Sequence, residues 1–168
     1  MKIPSQFPQF TDVAALLIVT GKQGAEFYLG HSGELVEAGA FDVPAAKYSD
    51  KEGFFAGRGG ASGSVKEVDK AGHTKEFLKR LETELKKMIS SRRKMSVYVY
   101  APEYLMRQVK TLVKKLAGES YAMSFTGNYL KTHPKKLLEM LEVRVERKAA
   151  KKKVVSTSKE AAKMLKKR

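Results

Sequence analysis

A continuous apolar run close to the N-terminus predicts a strand at the centre of a sheet. The run extends from Val13 to Val19 and ends at the turn sequence Gly-Lys-Gln-Gly, residues 21–24. Its length suits a strand and is far too short to cross a membrane. Because no polar residue interrupts the run, both faces of this strand are expected to be covered. We therefore interpret residues 12–20 as a buried central strand.

The segments after this strand predict two more strands and then alternating helices and strands. Short turns separate the first three strands, which indicates an antiparallel meander. A long loop is expected at residues 44–68, where no periodicity is sustained. The remaining elements are helices with one apolar face, alternating with strands. The expected strands are 25–31, 34–42, 95–100 and 121–125, and the expected helices are about 73–91, 102–117 and a third that begins after residue 132.

This order, βββ–loop–αβαβα, predicts a single α/β domain. Its core is a mixed five-stranded sheet covered by helices, in a ribonuclease-H-like arrangement. The domain is expected at residues 12–147. An extended N-terminal arm is expected at 1–11, and a basic tail at 148–168 that includes a short helix at Lys159–Lys167.

Residues suited to helix ends lie at most of the expected boundaries. Thr74 or Asp69 is expected to cap the first helix, and Thr132 the third. Pro102 suits the first turn of the second helix, and Gly118 is expected to end it. The third helix is expected to bury Leu137, Leu138, Leu141 and Val145.

The formal net charge of +15 is concentrated near the C-terminus. From Arg144 onward there are eleven basic and two acidic residues, so this stretch contributes +9 and the first 143 residues contribute +6. A concentrated basic segment favours a polyanionic partner, usually nucleic acid and less often an anionic membrane surface. A solvated tail without a partner also fits such a segment.

The composition gives no indication of a cofactor or a secretory route. The chain has no cysteine and three scattered histidines, which argues against disulfides and against a zinc site. The N-terminal sequence MKIPSQFPQF has no long apolar segment of the kind found in signal peptides. We expect a soluble, cytoplasmic protein without a membrane span, and no bound cofactor or metal. The oligomeric state is left open.

The sequence contains no convincing catalytic set. A nuclease of the ribonuclease-H type needs carboxylates at strand ends to hold two metal ions, and Asp12, Asp42 and Asp50 are the candidates. Aspartate is also common beside turns, where it caps the backbone. We therefore expect a protein that is not an enzyme and keep a metal-dependent nuclease as the weakest alternative.

A glycine-rich loop and two basic clusters are the candidate binding features. The loop, residues 57–64, contains Arg58, Gly59, Gly60 and Ser62, and such a loop brings backbone N–H groups close to a phosphate. A slack surface loop has the same composition. The other candidate RNA contacts are Arg92, Arg93 and Lys94, and Lys148, Lys151, Lys152 and Lys153 in the tail.

The basic cluster after the first helix and the aromatic residues near the glycine-rich loop can each be explained without RNA. Arg92–Lys94 suits the dipole at the end of a helix as well as it suits RNA. Tyr48, Phe54 and Phe55 can stack on bases, or they can pin the loop to the core.

The order of elements and the loop together resemble the middle domain of the archaeal and eukaryotic class I peptide-chain release factors and of Pelota. The resemblance covers about residues 13–142 and is highest at 58–85. Release factors have Arg-Gly-Gly-Gln-Ser in a long loop after the third strand. This chain has Arg58-Gly-Gly-Ala-Ser62 at the corresponding position, followed by the first helix.

The chain also resembles the bacterial branch of that domain, whose members are described as required for attachment to host cells. In that branch a strand that ends in Ala-Pro leads into a helix, which matches residues 97–102. The segment Asn128–Pro134 resembles the turn before the last helix of that branch. This second resemblance implies, as an alternative, an interaction protein that binds a protein or an anionic surface.

One departure from the release-factor motif changes what the resemblance implies. The glutamine of Gly-Gly-Gln helps to place the water that hydrolyses peptidyl-tRNA, and this chain has Ala61 there. A methyl group neither donates nor accepts a hydrogen bond. The resemblance therefore implies a non-catalytic module that binds RNA or the ribosome, closer to Pelota than to a hydrolytic factor. The resemblance covers the middle domain alone, so we expect neither the decoding domain nor the partner-recruiting domain of those factors.

Overall fold

Five strands form one mixed sheet in the order β3–β2–β1–β4–β5. The structure, a computed structural model, describes residues 1–44, 65–90 and 94–147, with side chains from residue 72 onward in the first helix. The antiparallel meander consists of β1 (Ala14–Thr20), β2 (Gly24–His31) and β3 (Glu34–Asp42). On the other side of β1, β4 (Met95–Ala101) and β5 (Tyr121–Thr126) run parallel to it. The predicted ribonuclease-H-like α/β sheet is confirmed.

Two helices cover one face of this sheet. They are α1 (Val65–Ser90), which follows β3, and α2 (Glu103–Ala117), which connects β4 to β5. A short 3₁₀ turn, Gly118–Ser120, follows α2 at Gly118, where the positive φ of 53° suits glycine. The apolar stripes of both helices pack on inward-facing residues of the central strands. The helix residues buried there are Phe77, Leu81, Leu85, Leu105, Val109 and Val113.

A third helix and the N-terminal arm cover the opposite face. Helix α3 (134–147) buries Leu137, Leu138 and Leu141 against β1, β4 and β5. The arm is tied to the start of β3, because the Ile3 N–H donates to the Gly33 carbonyl at 2.7 Å. The side chains of Ile3 and Phe7 in this arm are buried on the same face of the sheet as α3. All seven residues of β1 are buried as a result, which explains the uninterrupted apolar run.

Three predicted details of the helices are wrong. Helix α1 begins at Val65, so residues 65–68 are helical and neither Asp69 nor Thr74 can be its cap. The first buried side chain described in α1 is Phe77. The residues before it show no sustained apolar periodicity and include Gly72, His73 and Thr74, which are weak helix formers, so the sequence pattern did not mark this part of the helix.

The other two errors concern α3. Its first turn is capped by His133 rather than Thr132, because the His133 Nδ1 accepts a hydrogen bond from the Lys135 N–H at 3.3 Å. Val145, which was expected to be buried, is 43% exposed. The residue before it, Arg144, contacts the sheet instead, with its guanidinium over the Phe125 ring.

Candidate nucleic-acid interface

The carboxyl ends of the parallel strands, the usual ligand site of an α/β sheet, are closed in this protein. Ligands normally bind in the crevice beyond those ends. Here the Thr20 side chain at the end of β1 is fully buried, and its hydroxyl donates to the Tyr100 carbonyl at 3.3 Å. A short segment, residues 127–131, then folds over the ends of β1 and β4. The crevice is filled by the chain itself.

Close packing holds this closing segment in place. The Gly127 N–H donates to the carbonyl of Ala101 at 2.9 Å. Leu130 lies so close to Gly21 that a methyl group on that glycine would meet Leu130 Cδ2 at 2.6 Å. The ring of Tyr129 stands edge-on to Tyr100, with 5.8 Å between centroids.

The carboxylate of Glu26, next to the closing segment, is hydrogen-bonded to it and is therefore not free for a ligand. Glu26 accepts the Lys131 N–H at 3.2 Å with one oxygen and the Tyr28 hydroxyl at 3.0 Å with the other. Burial, together with the negative charge of Glu26, raises the pKa of Tyr28 to about 12. Lys131 has a left-handed backbone with φ of 63°. Glu26 therefore contacts the closing segment through one oxygen, while Tyr28 on the same strand donates to the other.

The carboxylates proposed for a metal site do not come together. Asp12 precedes β1 and Asp42 ends β3, which runs parallel to β1, so the two lie at opposite ends of the sheet. A strand of this length separates them by about 20 Å, and Asp50 lies outside the described residues. No three His, Asp or Glu side chains within residues 1–44, 72–90 and 94–147 are close enough to share a metal ion. The two described aspartates therefore cannot form the metal pair of a nuclease.

Most of the predicted RNA contacts lie outside the described residues. They are the residues of the glycine-rich loop, the two arginines that follow α1 and the four lysines of the tail: Arg58, Gly59, Gly60, Ser62, Arg92, Arg93, Lys148, Lys151, Lys152 and Lys153. The aromatic residues Tyr48, Phe54 and Phe55 and the tail helix at 159–167 also lie outside them.

Lys94 is the one predicted contact that the structure describes. It is exposed and precedes β4, at the amino end of the parallel strands. Pro44, the last described residue before the glycine-rich loop, follows β3 at the carboxyl end. About 20 Å of sheet separates these ends. Lys94 and Pro44 therefore lie at opposite ends of the sheet.

The exposed face of α2 carries a basic stripe that the sequence interpretation missed. Arg107, Lys110 and Lys114 are spaced i, i+3 and i+7, which puts them on one side of the helix. They line a surface depression of about 460 Å³, together with Glu103, Met106, Thr111 and Thr126. We call these three cations the α2 stripe.

The geometry of β5 builds the other wall of this depression. The register between β4 and β5 shifts between Val97 and Tyr98, so one residue of β5 is extra. Beyond the shift, Met123 and Phe125 pack on the α3 side, and Thr126 is left on the α2 side. The edge strand thus offers a hydroxyl to the depression.

Cations lie on both sides of β5. On the α2 side the Lys114 ammonium stands 5.2 Å from the centroid of the Tyr121 ring, and on the α3 side the Arg144 guanidinium stands 5.3 Å from that of Phe125. Helix-dipole effects account for a lysine in the last turn of α2, such as Lys114, but not for Arg107 and Lys110 in its middle. The stripe is therefore more than a helix-end preference.

The α2 stripe has no carboxylate partners among the described residues. The ion pairs found in that part of the chain are Lys86–Glu82 and Lys87–Glu84, both on α1. Glu103 lines the same depression, at the first turn of α2, and is not within ion-pair distance of Arg107. The cations of the stripe are consequently available to an anionic ligand.

No protein-family model matches this chain, and no curated protein matches it either. The resemblance to release-factor middle domains therefore stays a prediction. None of the helices within the described ranges is long and apolar enough to cross a bilayer.

Proposed function

We propose that this chain is a non-catalytic, release-factor-like RNA-binding module of the cytoplasm that acts on the ribosome or on another structured RNA. In this proposal Arg58, Ser62 and the backbone of Gly59 and Gly60 contact phosphates from the glycine-rich loop. Further phosphates are neutralised by Arg92, Arg93 and Lys94 and by the tail residues Lys148, Lys151, Lys152 and Lys153. Ala61 leaves the loop without a group that orients water.

The distribution of charge over the sheet is the observation that carries this proposal. Residues 1–44, which contain β1, β2 and β3, have two lysines against five carboxylates. Residues 94–147, which contain β4, α2, β5 and α3, have ten basic residues against five acidic ones. A one-sided positive surface favours one-sided binding of a polyanion and steers its approach.

The closed strand ends support a binding role over a catalytic one. The crevice where an enzyme of this sheet type would bind a small substrate is occupied by residues 127–131, and the Glu26 carboxylate is engaged there. Binding through the outer surface does not require that crevice.

The salt dependence of RNA binding tests the proposal. Full-length protein should bind RNA and co-sediment with ribosomes, with an affinity that falls steeply as salt rises, because each neutralised phosphate releases a counterion. Replacing Lys148, Lys151, Lys152 and Lys153 with glutamine should lower the slope of log K against log salt by about 3 for single strands. A charge-matched variant with glutamine at Lys2, Lys22, Lys75 and Lys79 is the control.

Two results would overturn the proposal. One is RNA binding that is absent, or that does not respond to salt. The other is co-sedimentation that survives RNase treatment, which would favour the host-attachment type of interaction with a protein or an anionic surface.

A further inference from the structure

We propose that the α2 stripe and Tyr104 form a binding track for single-stranded RNA, made of residues other than those of the glycine-rich loop and the tail. This inference rests on the proposed function, because it assigns the described surface that the RNA would follow. The stripe supplies contacts to the phosphates, and the exposed tyrosine supplies a surface for a base.

The spacing of the cations suits consecutive phosphates of one strand. Along α2, Arg107 and Lys110 are about 4.5 Å apart in helix rise and Lys110 and Lys114 about 6 Å. The three charges thus extend over about 10 Å, which is about three steps of the 3.4 Å rise of a stacked strand. Long side chains adapt to the wider spacing of an unstacked strand.

Threonines line both walls of the depression beside these charges, Thr111 on α2 and Thr126 at the end of β5. The Thr111 hydroxyl donates to the Arg107 carbonyl at 2.9 Å, so Thr126 is the neutral side chain that we assign to phosphate or sugar oxygens, which are common partners of hydroxyl groups. Glu103 is the acidic group at the first turn of α2 and lies at one end of the stripe. Its repulsion of phosphate would limit the track at the carboxyl end of the sheet.

Tyr104 selects single-stranded nucleic acid over other polyanions. Its side chain is 62% exposed, the most exposed of the large hydrophobic residues in the described part of the chain. It lies one helical turn before Arg107, beside the stripe. A free aromatic ring next to phosphate-binding cations is the arrangement on which unpaired bases stack, whereas bases within a duplex are not accessible to it.

The test measures binding of full-length protein to a labelled oligouridylate and to an RNA duplex of the same length by fluorescence anisotropy, over about 50–200 mM salt. The R107Q/K110Q/K114Q variant should lose about 2 from the single-strand salt slope and about tenfold or more in affinity at low salt. The Y104A variant should bind the single strand about fivefold more weakly or worse, with an unchanged slope and unchanged duplex binding, and Y104F should restore binding.

The matched control is K2Q/K22Q/K79Q, which removes the same charge at lysines outside the α2 stripe and should leave the slope nearly unchanged. Circular dichroism melting checks that each variant is folded. The inference is overturned if the stripe variant and the control behave alike while the tail variant alone weakens binding, a result that leaves the proposed function intact. Equal weakening of single-strand and duplex binding by Y104A also overturns it. If the unmodified protein binds neither RNA, both the inference and the proposed function fail.

Discussion

The two edge strands of the sheet, β3 and β5, are both protected against pairing with another sheet, but by side chains of opposite charge. At one edge, β3 exposes Glu34 and Glu37 and contains a bulge opposite Phe27 and Tyr28. At the other, β5 also contains a bulge but is flanked by cations from α2 and α3. Bulges and charged side chains both discourage edge-to-edge pairing with another sheet. Edge protection alone therefore does not explain the choice of sign, whereas the proposed RNA binding at the β5 edge accounts for cations there.

Charge reversal at the β5 edge should have the largest effect. The R107E/K110E variant loses two phosphate contacts and places two negative charges in the depression, so RNA affinity at low salt should fall by about 100-fold. Equilibrium binding to single-stranded RNA measures this.

The reciprocal change at the β3 edge provides the comparison. The E34K/E37K variant adds the same amount of charge at the opposite edge of the sheet, away from the α2 stripe and Tyr104. It should raise affinity by less than about tenfold, and only at low salt. An increase as large as the loss in R107E/K110E would mean that net charge, rather than the surface beside β5, governs binding.

Two buried tyrosines, one on the β5 side of β1 and one on the β3 side, allow the two halves of the core to be compared. On the β5 side, Tyr100 stacks on Phe125 at 4.6 Å and its hydroxyl donates to the Leu137 carbonyl at 2.9 Å. Tyr100→Phe keeps the ring and removes the donor, so the free energy of unfolding should fall by about 1–2 kcal/mol. Urea unfolding measures it. An unchanged urea midpoint would show that the Leu137 carbonyl does not need the tyrosine hydroxyl and is satisfied by its hydrogen bond within α3.

Tyr28, on the β3 side, should make stability depend on alkaline pH. Its phenol ionises near pH 10 in the unfolded chain and at about pH 12 in the fold, since burial and the negative charge of Glu26 disfavour the phenolate. The unfolded state therefore releases the proton first, and the free energy of unfolding falls as pH rises from 10 to 12. Below pH 10 the contribution is complete.

The variant Tyr28→Phe isolates this effect. Burial also raises the pKa of Tyr100 and Tyr98, so alkaline destabilisation should persist in Tyr28→Phe but be smaller. The difference in unfolding free energy between the two proteins should shrink from pH 10 to pH 12. A difference that stays constant over this range would show that the Tyr28 phenol does not have a raised pKa.

The sheet could be predicted from the sequence because turns and burial both leave local marks. The bounds of β3, Glu34–Asp42, are as predicted, since Ser32-Gly33 and Val43-Pro44 stop the strand on either side. The α2 stripe could not be recognised in the same way. Cations at i, i+3 and i+7 are ordinary on an exposed helix face. Only the position of β5 at the edge, and the bulge that turns Thr126 toward α2, make them the wall of a depression.

The start of α1 was missed because the residues before Phe77 show no sustained apolar periodicity, and Gly72 tests how the helix is stabilised there. Gly72 lies inside α1, ahead of Phe77, and a methyl group built on it meets nothing within 4 Å. If residues before Phe77 are helical through propensity alone, Gly72→Ala should raise the free energy of unfolding by up to about 1 kcal/mol. Gly118→Ala is the contrasting control, because its positive φ of 53° strains any side chain and should lower stability. Helix content by circular dichroism should rise slightly in Gly72→Ala, and a loss of stability there would mean that this part of α1 is held by contacts rather than by its own helical preference.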